Sequence, residues 1–354
     1  MRVAVLEAVC AGLGGESPEP SLLAEGRAMW QAVIDDLLRV PDCTVDTVVN
    51  RRWLAVVANR PGLHVWQAEQ IEETVACWDS ALDDADAALV IAPEFGGALE
   101  RWVAEAGQRR SLHVLNAEPA AIRLCADKLE LARHLQAHDL PTIPTVAETW
   151  SAPPTFPCVL KPRDGAGSWL VRRVDGEAEW RRWRRDYAAG NTEPLRQPYV
   201  AGRALSVAGW FGDGVVDWLP VGEQRLSKDG GFRYLGGRLP AELSDADAAA
   251  VLRLAQSAAA TIPGLRGYIG FDILWPAGSS GPPLLVEINP RFTTSYVGYR
   301  ALIKDNLMER WLARPLPLRF GTGARGSGRG GLSIAADCHV EFDASGSYRM
   351  VSRS

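Results

Sequence analysis

The run Leu284-Leu285-Val286-Glu287-Ile288-Asn289-Pro290-Arg291 places a carboxylate and an amide two residues apart inside an apolar stretch. Such a run reads as an interior strand, and side chains two apart on a strand share a face. Glu287 and Asn289 therefore aim their oxygens at one region. Upstream, Gly267-Tyr268-Ile269-Gly270-Phe271-Asp272-Ile273-Leu274-Trp275 reads as a second strand. The Pro/Gly/Ser-rich connection 276–283 lets the two pair as a hairpin, with Asp272 beside Glu287. Three hard oxygen donors on one sheet surface suit Mg²⁺, which takes few protein carboxylates and completes its octahedron with water and phosphate oxygens. A metal here therefore brings a nucleotide with it. Taken alone, each residue is also compatible with an ordinary polar strand position.

Two lysines favour the first reading. Cys158-Val159-Leu160-Lys161-Pro162 is a short apolar strand ending in a lysine, followed by Arg163-Asp164-Gly165-Ala166-Gly167-Ser168. Small residues let backbone N–H groups wrap anionic oxygens, and a strand-end lysine adds a point charge. Lys128 stands earlier, in a helical pattern with Leu131 and Leu135 on one face and Asp127 as its N-cap. Each lysine alone is an ordinary surface residue; their order relative to the acidic strands is what points to nucleotide binding.

Taken in order, Lys128, Lys161 with its glycine loop, the hinge Gln197-Pro198-Tyr199-Val200-Ala201-Gly202, Asp272, Glu287-x-Asn289 and Arg291 resemble the ATP-grasp superfamily, over residues 118 to 302. The resemblance implies an α/β and α+β chain: an N-terminal open parallel-sheet domain, then a two-part ATP-grasp fold with a small lid and a larger antiparallel-sheet core. It implies that Lys128 and Lys161 contact ATP phosphates, and that the loop carrying Gly165, Gly167 and Ser168 closes over them. Gln197, Tyr199 and Val200 would present backbone groups and an apolar edge to adenine. Asp272, Glu287 and Asn289 match the Mg²⁺ ligands, with Mn²⁺ as a substitute. Two positions depart from the pattern. Many members carry a ribose-binding glutamate where this chain has Ala204, and some amino-acid ligases carry a phosphoryl-steadying arginine where it has Gly270. Arg291, Arg225 and Arg233 are the candidates to take over that second role.

A narrower resemblance lies in Leu6-Glu7-Ala8, Pro20-Ser21-Leu22-Leu23-Ala24-Glu25-Gly26-Arg27-Ala28-Met29, Ala88-Leu89-Val90-Ile91-Ala92-Pro93-Glu94-Phe95, and Pro290-Arg291-Phe292-Thr293-Thr294-Ser295-Tyr296-Val297-Gly298. These strings look like the tyramine–glutamate ligase group of methanofuran synthesis. That group implies amide formation between glutamate and an aromatic amine, through an acyl phosphate. A free carboxylate is a poor acyl donor because its leaving group would be oxide, so ATP must activate it. Arg291 and Lys161 are the expected catalytic residues, Arg291 as a clamp on the acceptor carboxylate or the transferring phosphoryl. Glu7, Arg225, Thr294 and Ser295 are the expected substrate contacts. The alternatives are a different amino acid and amine on the same machinery, or a non-catalytic nucleotide sensor.

The rest of the chain fits an enzyme of small molecules. With 354 residues and 47% hydrophobic content it exceeds one typical domain and can bury a sizeable core. A net charge of −5 gives no global attraction to nucleic acid or anionic membrane, and no apolar stretch is long enough to span a bilayer. A cytoplasmic protein, with a homodimer admitted, is the expectation. Six scattered cysteines without a C-x-x-C pair read as reduced thiols.

Four segments follow: an α/β domain over 1–117, linker helices and lid over 118–198, a core with the metal site over 199–320, and a glycine-rich loop with a strand tail over 321–354. In the first, strands are expected at Arg2–Leu6, Thr44–Val49, Ala87–Ile91 and Leu112–Leu115, between helices near 21–39, 69–82 and 97–109. Ligands of such sheets bind beyond the strands' carboxyl ends, here the 7–21 and 93–97 loops. A helix is expected near 177–189, another near 243–260, and a final strand at Leu332–Val340. His134 and His138 have the spacing of a zinc pair but lack a visible third ligand, and read as packing residues. Gly12-Leu13-Gly14-Gly15-Glu16-Ser17 lacks the third glycine of a dinucleotide loop and reads as a substrate loop. Trp180 and Trp183 read as the packed face of an arginine-coated helix rather than a nucleic-acid platform. The 325–330 stretch reads as a mobile surface loop.

Overall fold

The computed structural model describes all residues except 16–17, 57–59, 166, 191, 213–214, 279–280, 314–331, 336–337 and 353–354. The whole glycine/arginine-rich loop, with its 325–330 stretch, and the end of the Gly12–Ser17 loop lie outside the described residues.

At the amino end, β1 (Arg2–Glu7), β2 (Thr44–Asn50), β3 (Leu63–Ala68), β4 (Ala87–Ile91) and β5 (His113–Val114) form a parallel sheet in the order β3-β2-β1-β4-β5. Strands β1 and β4 sit inside it and are apolar along nearly their whole length, as strands covered on both faces must be. Helices α1 (Pro20–Leu37), α2 (Ile71–Asp83) and α3 (Ala98–Ala106) supply those covers. Strand β3 is absent from the expectation, since its His64 and Gln67 break the apolar run at this sheet edge. The strand expected over 112–115 shortens to two residues.

Helices α4 (Pro119–Ala126) and α5 (Lys128–Ala137) lead into the lid, a four-stranded sheet in the order β6-β9-β7-β8. Its strands are β6 (Val146–Ala147), β7 (Cys158–Pro162), β8 (Arg172–Val174) and β9 (Pro194–Pro198), with α6 (Glu177–Ala189) packed across them. Trp180 and Tyr187 fill the lid core beneath Trp150, while Arg181 and Arg182 pair with Glu177 and Glu179 on the outer face. The packed reading of that helix holds.

The largest sheet has eight strands, β10 (Gly202–Gly212), β11 (Val215–Trp218), β12 (Gly222–Leu226), β13 (Tyr234–Leu239), β14 (Gly267–Pro276), β15 (Leu284–Asn289), β16 (Cys338–Asp343) and β17 (Tyr348–Ser352). All of its pairings are antiparallel. Helix α7 (Asp245–Ala260), N-capped by Ser244, joins β10 and β14 in one apolar core, and its expected bounds hold to within two residues. The final strand begins at Cys338, not Leu332, and residues 332–335 contribute an isolated bridge from Ile334 to Ile303. The C-terminal hairpin is no appendage: β16 pairs with β13 and extends the core sheet.

Helices α8 (Ser295–Leu302) and α9 (Leu307–Leu312) fasten the core to the amino-terminal domain. Tyr296 donates to buried Asp36 of α1 at 2.6 Å, and Arg300 pairs with the same carboxylate at 2.8 Å. Beneath them Trp210 stacks on Trp311 at 4.5 Å, and Tyr268 on Phe292 at 4.6 Å. Close-packed aromatics of this kind give segment 290–295 a rigid floor. His134 meets Thr261, and His138 meets the His134 carbonyl, as packing residues. All six cysteines are free. Among the described residues no helix is long and apolar enough to cross a membrane.

Candidate functional site

Antiparallel pairing sets Asp272 of β14 directly opposite Glu287 of β15, and Gly270 opposite Asn289. The hairpin read from sequence therefore exists in the expected register. Asn289 donates from its amide to Asp272 at 3.1 Å, and Gln224 of β12 donates to the other Asp272 oxygen at 2.8 Å. Two cations converge on Glu287: Lys161 Nζ lies 3.7 Å and Lys128 Nζ 3.9 Å from its Oε1. These separations are ionic contacts, too long for hydrogen bonds.

The lysines arrive from different elements. Lys161 ends β7 and is 4% exposed. Lys128 opens α5, whose N-cap Asp127 accepts from the Leu129 and Glu130 amides at 3.1 Å each, as expected. Arg163, just past the lid strand, clamps that same Asp127 at 2.6 Å, so the cap also ties the lid to Lys128. Lys128 donates to the Gly165 carbonyl at 2.6 Å. The glycine loop thus rests on one of the cations it is meant to cover.

Electrostatics divide the two acids. Burial pushes the Asp272 carboxyl up to about 7, and the neighbouring Glu287 adds to it. Burial also acts to raise Glu287, but Lys128 and Lys161 outweigh it and hold that carboxyl below its ordinary value. Lys161 is lowered, first by burial and further by Lys128, against the pull of Glu287. A folded-state Asp272 value above the unfolded one of about 4 means the native state binds more protons between the two, so its contribution to stability falls as pH rises from about 4 to about 7. The nucleotide-free protein is expected to melt at a lower temperature near pH 8 than near pH 6, and Asp272→Asn to flatten that difference. Paired thermal scans of the two proteins check it.

These groups line a cleft of about 1170 Å³ between lid and core. One drug-sized ligand fills a pocket of roughly 300–1,000 Å³, so there is room for a nucleotide and a further small molecule. The cleft is lined by Lys128, Lys161, Gly165, Gly167, Ser168, Gln197, Tyr199, Val200, Asp272, Glu287, Asn289, Arg291, Thr294, Ser295 and Arg225. Several have particular orientations. Gln197 is buried and gives its amide to Thr145 at 2.8 Å. Tyr199 lies under the Arg173 guanidinium, 4.2 Å from the ring centre, and stacks with Phe232 at 6.3 Å. Ser168 donates to the Phe232 carbonyl at 2.9 Å, which fastens the glycine loop to the β12–β13 turn.

Other expected residues are held by different partners. Glu7 does not face the cleft: it is 1% exposed and accepts from the Cys10 amide at 2.6 Å, because Gly26 of α1 packs directly over its carboxylate. Arg225 lines the cleft and donates to the Phe342 carbonyl at 2.8 Å. Arg233 is paired with Asp229 at 3.1 Å on an exposed turn. At Gly270 a Cβ would lie 2.6 Å from the Thr293 methyl, so no side chain fits there without moving Thr293.

Arg291 lines the cleft through contacts the sequence did not announce. Its Nη2 donates to Glu94 Oε2 at 3.0 Å and its Nη1 to the Phe292 carbonyl at 3.1 Å. Nε and Glu94 Oε1 stand 2.9 Å apart but poorly aligned, so both atoms are buried without a hydrogen bond. Glu25 of α1 also lines the cleft and accepts from Thr294 Oγ1 at 3.0 Å. Neither carboxylate was singled out from sequence, although both sit in the strings carrying the narrower resemblance. Gln224 was missed too; its signal is alternation along β12, which puts it on the cleft face with Gly222. A hydrogen bond joins lid and amino-terminal domain: the Gly96 amide donates to Asp164 at 2.8 Å.

As for a divalent cation, two carboxylates and an amide on adjacent strands are a hard, oxygen-rich set, and the raised Asp272 marks a carboxylate short of positive charge. Among the described residues no group of three or more His, Cys, Asp or Glu forms a closed metal cage. The arrangement fits an ion that takes few protein ligands.

Comparison with known proteins agrees with this geometry. Residues 125–295 match the ATP-grasp domain, and residues 44–122 the pre ATP-grasp 3 domain. Among solved structures, the chain is similar to an ATP-grasp superfamily protein from Archaeoglobus fulgidus, at 22% identity and a TM-score of 0.72, covering 97% of this chain and 92% of that one. It is similar to an L-amino acid ligase from Bacillus licheniformis at 16% identity and a TM-score of 0.67, covering 96% and 78%. A biotin carboxylase from Campylobacter jejuni, solved as a β,γ-ATP complex, aligns at 14% identity and a TM-score of 0.68, covering 96% and 74%. At these identities the likeness is one of fold. No curated protein matches the chain. Two domain matches that nearly abut, and a fold shared along almost the whole length, lead to one conclusion: this chain belongs to the ATP-grasp superfamily.

Proposed function

We propose that this protein is an ATP-dependent carboxylate–amine ligase, ADP-forming, which joins glutamate or a similar amino acid to an aromatic amine such as tyramine. The observation that carries the reading is the convergence of Lys128, Lys161, Asp272, Glu287 and Asn289, from four separate segments, in one cleft with room to spare. Lys128 and Lys161 would neutralise the triphosphate, and the glycine loop would cover it and exclude water. Mg²⁺, when bound, supplies further neutralisation of phosphate oxygens, and Asp272, Glu287 and Asn289 are the residues that would hold it.

The acid attacks the γ-phosphorus through its carboxylate oxygen and ADP departs. The amine then attacks the carbonyl carbon, the C–O bond to phosphorus breaks, and inorganic phosphate leaves. The narrower substrate assignment is supported by where its strings meet. Glu25, Glu94, Arg291 and Thr294 come from three of them and gather in one part of the cleft lining. Ala204 and Gly270 favour the second reading, a nucleotide sensor without turnover.

A panel of amino acids and amines with ATP, read by product mass and ADP release, decides between them. The ligase releases ADP only when both partners are present. Absence of ADP and of any new mass with every pair would discard it.

A further inference from the structure

Two clusters of charged side chains line the cleft. In one, Lys128 and Lys161 stand over a single ionised carboxylate, Glu287, in a setting made for phosphates. In the other, Arg291 is balanced by Glu94, and Glu25 is a second carboxylate. Glu25 has the Thr294 hydroxyl as its hydrogen-bond partner, and among the described residues no lysine or arginine reaches it at ion-pair distance; Arg291 acts on it only from farther away. Glu19, a further carboxylate, acts on Glu25 as well. Burial raises the Glu25 carboxyl above its ordinary value, the mark of an anion short of a partner.

Arg291 is itself already engaged. Glu94 and the Phe292 carbonyl accept from Nη2 and Nη1, while Nε is buried beside Glu94 without a hydrogen bond. A substrate carboxylate would have to compete with Glu94 for that guanidinium, whereas a substrate cation meets Glu25 without displacing anything. Tyr234 lines the cleft too, close enough for its phenol to feel both Glu25 and Asp272. It offers an aromatic wall beside the carboxylate.

We propose that Glu25, held by Thr294 beside the Glu94–Arg291 pair, binds the ammonium group of the acceptor, so that the acceptor is a cationic primary amine. This rests on the ligase reading above. To react, the bound ammonium gives one proton to the Glu25 carboxylate, and the neutral nitrogen attacks the acyl-phosphate carbonyl as phosphate leaves. A charge-assisted hydrogen bond in a part-buried site is strong enough to seat that ammonium.

Glu25→Gln tests it, since glutamine keeps the size and can still accept from Thr294. The KM for the amine is expected to rise by roughly 10- to 100-fold, the worth of one hydrogen bond to a charged group. Hydroxylamine, largely uncharged at neutral pH, captures acyl phosphates as hydroxamates and needs no carboxylate to seat it. Hydroxamate formation by Glu25→Gln should therefore stay within about twofold of the unsubstituted protein, and Glu25→Asp should recover part of the amine affinity. An unchanged amine KM, or an equal fall in amide and hydroxamate, would overturn the assignment, the latter by making Glu25 merely structural. Failure of the unsubstituted protein to form hydroxamate with any acid would instead remove the ligase reading and this proposal with it.

Discussion

Lys161→Met is expected to lower ATP-dependent turnover by roughly 10²- to 10³-fold, the loss typical of one preorganised electrostatic contact to developing charge, while leaving the protein as stable as before or slightly more so. The two effects have opposite signs for one reason. Lys161 is almost fully buried, and its ammonium is disfavoured there, burial outweighing the attraction of Glu287. Methionine fills the same space without a charge to desolvate. The group is a cost to the empty protein that a triphosphate repays, so activity and stability separate at this position. Steady-state turnover beside a urea melt reads both. A parallel fall in the two would show that Lys161 serves the fold.

Arg291→Met should do the reverse and unfold the protein more readily, by about 3–5 kcal/mol, because it strands Glu94 as an uncompensated buried charge. Glu94 is only 9% exposed and has its ion pair with Arg291 as the main compensation. Adding Glu94→Gln should restore a good part of the loss, with a coupling of about 1–3 kcal/mol in the double-mutant cycle. Catalysis should suffer in both variants, since the pair shapes the proposed acceptor site. Unchanged turnover in Arg291→Met would discard its place in the site, and purely additive melts would deny that the two residues act together.

Local chemistry was legible where it depended on local pattern. The β14–β15 hairpin followed from period-two alternation and a turn-rich connection, which fix register once one face is apolar. Asp127 was legible as a cap because an aspartate before a helical run has few other uses. Strand β3 was not, because its exposed face carries His64 and Gln67 where a buried strand would show an apolar run. The C-terminal strands looked like a tail because nothing in residues 338–352 says that their partner is β13, some hundred residues earlier. Glu25 and Glu94 were invisible for the same reason. Each is an unremarkable acid in its own segment, and only the packing of α1 and the loop after β4 against the Pro290–Ser295 turn brings them to one place. Glu7 misled because a carboxylate at a strand's carboxyl end usually faces ligand, whereas here Gly26 lets α1 close over it.

The hydrogen bond from Gly96 to Asp164 carries one further consequence. Asp164 opens the glycine loop of the lid, and Gly96 belongs to the loop that also holds Glu94, so the bond ties those two loops together. Under the proposed function, displacing the lid breaks this bond and frees the loop carrying Glu94, in which Gly96 and Gly97 hold left-handed backbone.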